Sequence, residues 1–189
     1  DLVRMAAWIV ERMKQIGVPT VELVETAGHP IVEGRWHVDE GRKILLVYGH
    51  YDVQPVEPLE EWKTPPFEPT IIDGKVFARG SADDKGQFYM HVKAMEIMAN
   101  TNTMTTNIKF IIEGEEEVGS ANLGQFVAAN KELLKADVIL ISDSSLLSMD
   151  TPSLDTGVRG LSYIEVEVTA ANRDLHSGIY GGAVANPIV

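Results

Sequence analysis

The chain has 189 residues, of which 44% are hydrophobic and 23% charged, an ordinary composition for a globular protein. Its 28 acidic and 16 basic side chains give a formal net charge of -12, so its average field repels phosphate backbones and anionic lipids. This charge argues against nucleic acid and membrane partners. The absence of cysteine excludes disulfides, thiolate metal ligands and cysteine nucleophiles, so any metal must be held by imidazole and carboxylate groups, which suit zinc, manganese or cobalt.

The first part of the chain predicts one helix followed by strands. Apolar residues recur at helical spacing over 2–16, and Gly17 with Pro19 then gives a stop signal. Asp73-Gly74 predicts the tight turn of a β-hairpin. Runs rich in β-branched residues predict strands over 20–25, 31–38, 43–48, 70–72 and 75–77.

The middle of the chain alternates helices with strands. We predict helices over 84–99 and 123–134, and strands over 107–112 and 137–142. This alternation indicates an α/β fold, with a mixed, mostly parallel sheet flanked by helices. A long alternating pattern over 161–169 predicts a further strand and the start of a second, antiparallel unit.

Neither a membrane span nor a leader is recognisable in the sequence. No apolar run reaches the roughly 20 residues that a membrane-spanning helix requires, and charges interrupt the apolar residues of 1–10. Without an export signal and without cysteine, we expect a cytoplasmic location. The missing initiator Met and the ending at 185–189 suggest a piece of a longer protein.

The chemistry concentrates at predicted strand ends. His50 and Asp52 follow the strand over 43–48, where alternate residues point the same way and ligands are expected. A metal-bound His commonly donates its other ring N–H to a carboxylate. Asp143 follows another apolar strand, and His176 lies in the glycine-rich stretch 174–182.

Two acidic clusters add to these residues. Asp83 and Asp84 open a predicted helix, where one carboxylate can cap the helix and the other is free to bridge two metal ions. The acidic run 113–117 follows a strand, where repulsion between its Glu side chains is costly unless a cation offsets it. One Glu could bind a metal ion while its neighbour acts as a general base.

These segments resemble the M20 family of metallopeptidases, most closely its carnosinase-like dipeptidase branch. The likeness spans nearly all of the chain and is specific in combination. It rests on the motifs at 49–55, 79–86, 113–119 and 174–182, with Trp62 and Pro66-Phe67 at similar spacing between the first two.

The resemblance implies two divalent metal ions, zinc or manganese with cobalt as a further option. His50, Asp83 and Asp143 would surround one ion, while Asp83 would bridge to the second ion, which Glu117 also binds. Relatives have a cis peptide bond between Asp83 and Asp84.

The resemblance also assigns catalytic roles. Asp52 would orient and polarise His50, and Glu116 would take a proton from the attacking water and return it to the leaving amine. His176 would lie on a lid domain and stabilise the developing oxyanion, in relatives often reaching into the partner subunit's site.

The resemblance implies the N-terminal part of a zinc-peptidase-like, metal-binding catalytic domain over 1–158 and the start of an α+β lid and dimerisation domain over 159–189. The family's last metal ligand is a His far downstream of Val189. We therefore expect the longer protein to be an active homodimer that cleaves dipeptides or small peptides, and the chain alone to be inactive or nearly so.

Three alternatives stay open. Another branch of the superfamily, which acts on N-acyl amino acids or as a carboxypeptidase, shares the metal core and differs in its lid contacts. A noncatalytic binding homologue would be expected to lack Glu116 or a ligand, yet those available are present. A lone structural metal site conflicts with the surplus of carboxylates.

Structural roles are expected for His29, His37, His91, Trp8 and Trp36, while Trp62 could pack or shape the site entrance.

Overall fold

The computed structural model describes residues 1–187, so the last two residues of the predicted lid segment lie outside the described residues. Its contacts form two units, Asp1–Leu146 and a second unit that begins at Leu147. The assignment of 1–158 and 159–189 to catalytic and lid domains stays a prediction.

The first unit contains all but one of the described helices and all of the described strands. Its helices are α1 (Leu2–Ile16), α2 (Lys85–Asn100) and α3 (Leu123–Ala129), with 3₁₀ turns at Leu59–Glu61 and Glu116–Val118. Its strands are β1 (Thr20–Val24), β2 (Ile31–Trp36), β3 (Ile44–His50), β4 (Thr70–Ile72), β5 (Lys75–Phe77), β6 (Asn107–Glu113) and β7 (Val138–Ile141).

The central sheet has the strand order β1-β2-β6-β3-β7. β2 pairs antiparallel with β1 and β6, whereas β3 pairs parallel with β6 and β7. Four of these five strands within residues 1–187 therefore run in one direction, and β2 is reversed. This mixed, mostly parallel sheet confirms the predicted fold class, and it brings the carboxyl ends of β3, β6 and β7 to one edge.

Side chains alternate along each strand, so the buried strands present apolar residues on both faces of the sheet, and helices cover both faces. On one face, Phe110 and Val47 belong to a cluster with the buried sides of α1 and α2. On the other face, Ile111 and Leu46 pack with Phe126 of α3. This alternation fixes the register of β3 and β6, since a slip of one residue would turn each side chain to the opposite face.

The predicted hairpin is confirmed. β4 and β5 pair antiparallel, and Asp73 and Gly74 between them have φ values of 47° and 74°. Two positive φ angles match the right-handed twist of the flanking strands, which explains why an Asp-Gly pair connects them. Within residues 1–187, no helix combines the length and the apolar character needed to cross a bilayer.

Two predictions of secondary structure differ from the structure. The strand predicted over 161–169 is wrong, because these residues have no regular secondary structure and pair with no other described strand. Alternation gives a segment one face to bury, but a strand also needs a hydrogen-bonded neighbour. The helix predicted to reach residue 134 ends at Ala129, and turns continue from there. The second unit contains α4 (Ser177–Tyr180).

Candidate metal centre

Six of the seven predicted site residues lie in the first unit, near the carboxyl ends of its parallel strands. His50 is the last residue of β3 and pairs with Glu113, the last residue of β6. Asp143 lies two residues beyond the end of β7, and Asp83 lies two residues before the start of α2. Chain segments that are far apart in sequence thus supply one cluster of polar groups.

His50 stands at the centre of this cluster and is fully buried. Its Nδ1 lies 3.2 Å from Asp52 Oδ1. Its Nε2 lies 3.1 Å from Asp83 Oδ1 and 3.7 Å from Asp143 Oδ2, with Glu116 Oε2 at 3.9 Å. One ring nitrogen is therefore oriented by a carboxylate, and the other ring nitrogen faces three further carboxylates.

The residues around His50 fit a divalent metal ion. His50 Nε2 is buried and forms no hydrogen bond among the described residues, although Asp83 Oδ1 is close, because the geometry is wrong for one. Burial disfavours protonation of His50, but the carboxylates of Asp52 and its neighbours outweigh it and raise the pKa of the imidazole. The carboxylates thus favour a cation at Nε2, and imidazole with carboxylates is a donor set that zinc and manganese accept.

Two groups of potential ligands share His50. One contains Asp83 and Asp143, and the other contains Glu116 and Glu117, with the ligand atoms of each group within 4.8 Å of one another. Because the free Nε2 of His50 can bind only one ion, the two groups share that nitrogen as alternatives, and the remaining carboxylates are available to a second ion. Nitrogen and oxygen donors supply both groups, as the absence of cysteine requires.

Asp52 holds two parts of the centre at once. Besides its contact with His50, its Oδ1 accepts a hydrogen bond from the Glu116 backbone N–H at 3.2 Å, and its Oδ2 accepts one from the Glu117 N–H at 3.0 Å. The carboxylate thereby caps the 3₁₀ turn that presents both Glu side chains. Asp52 couples the orientation of the imidazole to the position of that turn.

The acidic run 113–117 divides into supporting and site-facing residues. Glu113 is buried and accepts hydrogen bonds from Tyr48 Oη at 2.6 Å and Ser120 Oγ at 2.8 Å. Burial raises the pKa of Tyr48, and the adjacent Glu113 carboxylate raises it further, so the phenol stays a donor. This supporting role was missed by the sequence analysis, in which the strand-end position of Glu113 was its only signal.

Within the same acidic run, Glu115 is a supporting residue and Glu116 faces the site. Glu115 accepts hydrogen bonds from the His29 backbone N–H at 3.0 Å and from Asn122 Nδ2 at 2.8 Å, which tie the turn to neighbouring loops. Glu116 faces His50, and burial raises the pKa of its carboxyl group. A carboxylate with a raised pKa is a better proton acceptor, which suits a general base.

The side chain of Asp84 does not cap α2, contrary to one interpretation of the Asp83-Asp84 pair. Asp84 occupies the N-cap position without a capping hydrogen bond from its side chain, and the peptide bond between the two Asp residues is cis. Its Oδ2 instead accepts a hydrogen bond from the backbone N–H of His50 at 3.0 Å. Because Asp84 is fully buried, desolvation raises the pKa of its carboxyl group to about 6.

Gly49 allows α2 to approach β3 at this point. A Cβ on Gly49 would lie 2.6 Å from Phe88 Cβ and 2.7 Å from Asp84 Oδ2. We expect Gly49→Ala to lower the free energy of unfolding by about 1–3 kcal/mol, because α2 must shift to relieve the overlap. Urea unfolding measures this change.

Gly124 provides the matched control. It lies in α3, and a Cβ added there would meet nothing within 4 Å, so Gly124→Ala is expected to raise the free energy of unfolding by up to about 1 kcal/mol. Equal stability of the Gly49→Ala variant and the unchanged protein would show that the contact at Gly49 is not tight.

The loop after β3 is held by its own contacts. Gln54 Nε2 donates to Glu117 Oε2 at 2.6 Å. Trp62 Nε1 donates to the Val56 carbonyl at 2.8 Å, and the Arg79 guanidinium lies 4.9 Å from the centre of the Trp62 ring. These contacts show that Trp62 packs within the loop.

His176, the seventh predicted site residue, belongs to the second unit. Its Nδ1 accepts a hydrogen bond from the Gly178 backbone N–H at 3.0 Å, which places it at the start of α4. This contact is local, and the role in oxyanion stabilisation stays a prediction.

Comparison with known proteins decides the family. The model of peptidase family M20/M25/M40 matches residues 46–178, a span that contains all seven predicted site residues. The chain belongs to this peptidase family. The resemblance stated from the sequence motifs is therefore confirmed.

This M20 chain is similar to named dipeptidases over nearly its whole length. It is 35% identical to the Cys-Gly metallodipeptidase DUG1 of Candida albicans over 99% of the chain and 42% of the relative. It is 33% identical to the Beta-Ala-His dipeptidase of Rattus norvegicus over 100% of the chain and 41% of the relative. The chain thus spans about two fifths of the length of these relatives.

Solved structures agree with the family. The crystal structure of human carnosine dipeptidase 1 matches with a TM-score of 0.74 and 28% identity, over 99% of this chain and 42% of that one. An M20 family metallo-carboxypeptidase from Sulfolobus solfataricus matches with a TM-score of 0.72 and 38% identity, over 76% of this chain and 32% of that one.

Proposed function

We propose that the full-length polypeptide is a metal-dependent hydrolase that cleaves the amide bond of dipeptides or small peptides. The observation that carries this proposal is the buried Nε2 of His50, which has no hydrogen-bond partner among the described residues and faces Asp83, Asp143 and Glu116. The names of the relatives, Cys-Gly and Beta-Ala-His dipeptidases, support the substrate class.

The proposed ligands combine the group His50, Asp83 and Asp143 with Glu117 of the other group, and the sharing of Asp83 between two ions is what the family resemblance implies. His50 and Asp143 would bind one divalent ion and Glu117 the second, with Asp83 between them, and zinc or manganese, with cobalt as a further option, suits these donors. A pair of such ions, when bound, lowers the pKa of water and polarises the scissile carbonyl. The protein's part is to fix the ligands and to keep the His50 ring in one orientation through Asp52.

Glu116 is the proposed general base. Its carboxylate would accept a proton from the attacking water and later donate that proton to the nitrogen of the leaving amine. The hydrogen bond from its backbone N–H to Asp52 holds the turn that carries it. His176 is proposed to stabilise the oxyanion from a lid domain.

A carboxypeptidase or N-acyl amino acid deacylase is the second candidate. The observation that favours the carboxypeptidase is the 38% identity to a metallo-carboxypeptidase structure over 76% of the chain. Both reactions use the same metal core, so substrate contacts decide between them. The homodimer and the cytoplasmic location stay predictions for the full-length polypeptide.

A substrate panel separates these candidates. The full-length polypeptide, loaded with Zn²⁺ or Mn²⁺, is incubated with Cys-Gly, β-alanyl-histidine, N-acetyl amino acids and longer peptides with a free carboxyl terminus. We expect the highest kcat/KM for a dipeptide. Turnover of N-acetyl amino acids or longer peptides alone would favour the second candidate, and a metal-loaded protein that cleaves none would be a noncatalytic homologue.

A further inference from the structure

A side-chain contact joins α2 to the segment that carries Asp143. The Nε2 atom of His91 lies 2.9 Å from the hydroxyl oxygen of Ser142. His91 is half-buried on α2, next to Val92, which belongs to the core packed against the sheet. Ser142 immediately precedes Asp143, so a group anchored in the core reaches the residue beside a proposed metal ligand.

Two other proposed ligands, His50 and Glu117, and the proposed base Glu116 have main-chain supports of their own. The backbone N–H of His50 donates to Asp84, and the backbone N–H groups of Glu116 and Glu117 both donate to Asp52. The main chain of each of these residues is therefore held by a carboxylate at its own N–H group, and such supporting contacts orient metal ligands.

Asp143 has a weaker support from the sheet. β7 is an edge strand that pairs with β3 alone among the described strands, and its register ends at the pair Tyr48 and Ile141. Within residues 1–187, the Asp143 carboxylate approaches His50 but forms no hydrogen bond. The contact between His91 and Ser142 is thus the side-chain anchor nearest to Asp143 on its own segment.

We propose that His91 is a positioning residue that, through the hydroxyl of Ser142, holds Asp143 in place to bind a metal ion. His91 touches no reacting atom and is not a catalytic residue. Its effect is to order the segment before the metal ion arrives, so that the ordering entropy is not lost on binding. The inference rests on the proposed metal-dependent function, and it replaces the purely structural role expected for His91 from the sequence.

A double-mutant cycle on the full-length polypeptide tests this inference. His91→Phe keeps a ring of similar size without nitrogen, and Ser142→Ala removes one oxygen atom. The affinity for Zn²⁺ is measured by competition with a chromophoric chelator for both variants and for the double variant. We expect each single variant to bind the ion held by His50 and Asp143 about 10–100-fold less tightly, as for other residues that support metal ligands. The double variant is expected to be no worse than the poorer single variant.

Two further variants separate positioning from general stability. Ser142→Thr keeps the hydroxyl and is expected to retain the affinity of the unchanged protein. Val92→Ala removes buried core atoms beside His91, and it is expected to lower the urea midpoint without weakening metal binding. Single variants that bind Zn²⁺ as tightly as the unchanged protein would overturn the inference. The inference would also be overturned if the two losses of Zn²⁺ affinity multiplied in the double variant. It would likewise be overturned if Val92→Ala lost as much Zn²⁺ affinity as the single variants.

The failure of the proposed function is a distinct outcome. An unchanged protein that binds Zn²⁺ but cleaves no dipeptide refutes the peptidase proposal, while the affinities of the cycle still decide the role of His91. An unchanged protein that binds no Zn²⁺ overturns both.

Discussion

Glu116→Gln is expected to lower kcat for dipeptide hydrolysis by about 10²–10⁴-fold, the usual contribution of a positioned general base. The amide cannot accept the proton of the attacking water, yet it has nearly the same size as the carboxylate. Because all four proposed ligands, His50, Asp83, Glu117 and Asp143, are unchanged, the variant is expected to keep both metal ions. Steady-state kinetics with the full-length polypeptide, together with elemental analysis of the purified variant, measures both quantities.

Glu115→Gln is the matched control for this substitution. It makes the same chemical change one residue away, at a side chain that bonds His29 and Asn122 instead of facing His50. We expect its kcat to stay close to that of the unchanged enzyme, while its stability falls. If Glu116→Gln retains full turnover, the proton acceptor is another group and the assignment of the base is wrong.

Asp83→Asn is expected to weaken the binding of both metal ions, whereas Glu117→Gln is expected to weaken only one. The difference follows from the proposed position of Asp83 between the two ions. Loss of a residue that merely supports a ligand costs about 10–100-fold in affinity, so loss of a ligand is expected to cost at least about 100-fold. Isothermal titration of the chelated full-length polypeptide with Zn²⁺ resolves the two binding events.

Asp73→Asn is the control for the Asp83 variant. Asp73 lies in the turn between β4 and β5 and belongs to neither group of potential ligands. This variant is expected to show the same titration as the unchanged protein. If Asp83→Asn weakens only one of the two Zn²⁺ binding events and leaves the other unchanged, the bridging role is contradicted. Asp83 would then be a ligand of a single ion.

The sequence predicted the edge of the sheet at which the site lies, and the physical reason is the direction of the strands. His50 ends β3 and Asp143 follows β7, and these strands run parallel, so both residues lie at the carboxyl edge of the sheet. Pairing of β3 with β6 then brings the acidic run to the same place. The strand order therefore explains why these predicted residues lie close together, while their roles as ligands and base stay predictions.

The supporting contacts could not be predicted in the same way. Asp84 stands where a helix cap is expected, and only the close approach of α2 to Gly49 turns its carboxylate to the His50 backbone. Likewise, the bond between His91 and Ser142 joins residues 51 positions apart through the packing of α2 on the sheet. Such contacts depend on tertiary geometry, which hydrophobic periodicity does not encode.

The wrong prediction of a strand over 161–169 arose from a sequence pattern that no strand pairing matches within residues 1–187. Its alternation is a genuine property of the sequence, but alternation specifies a face and not a partner. Among the described residues, Leu161, Tyr163 and Ile164 are largely exposed, and no neighbouring strand satisfies their backbone groups. Periodicity alone therefore overstates the order of a segment whose pairing partner is not specified nearby.

The most direct test of the proposed metal centre is the recovery of dipeptide hydrolysis as metal ions are returned to the chelated full-length polypeptide. Activity towards Cys-Gly or β-alanyl-histidine is followed while Zn²⁺ or Mn²⁺ is added in measured equivalents. We predict no turnover without metal and full turnover at two ions per chain. Hydrolysis that persists after complete metal removal would contradict the assignment of these residues to a metal centre.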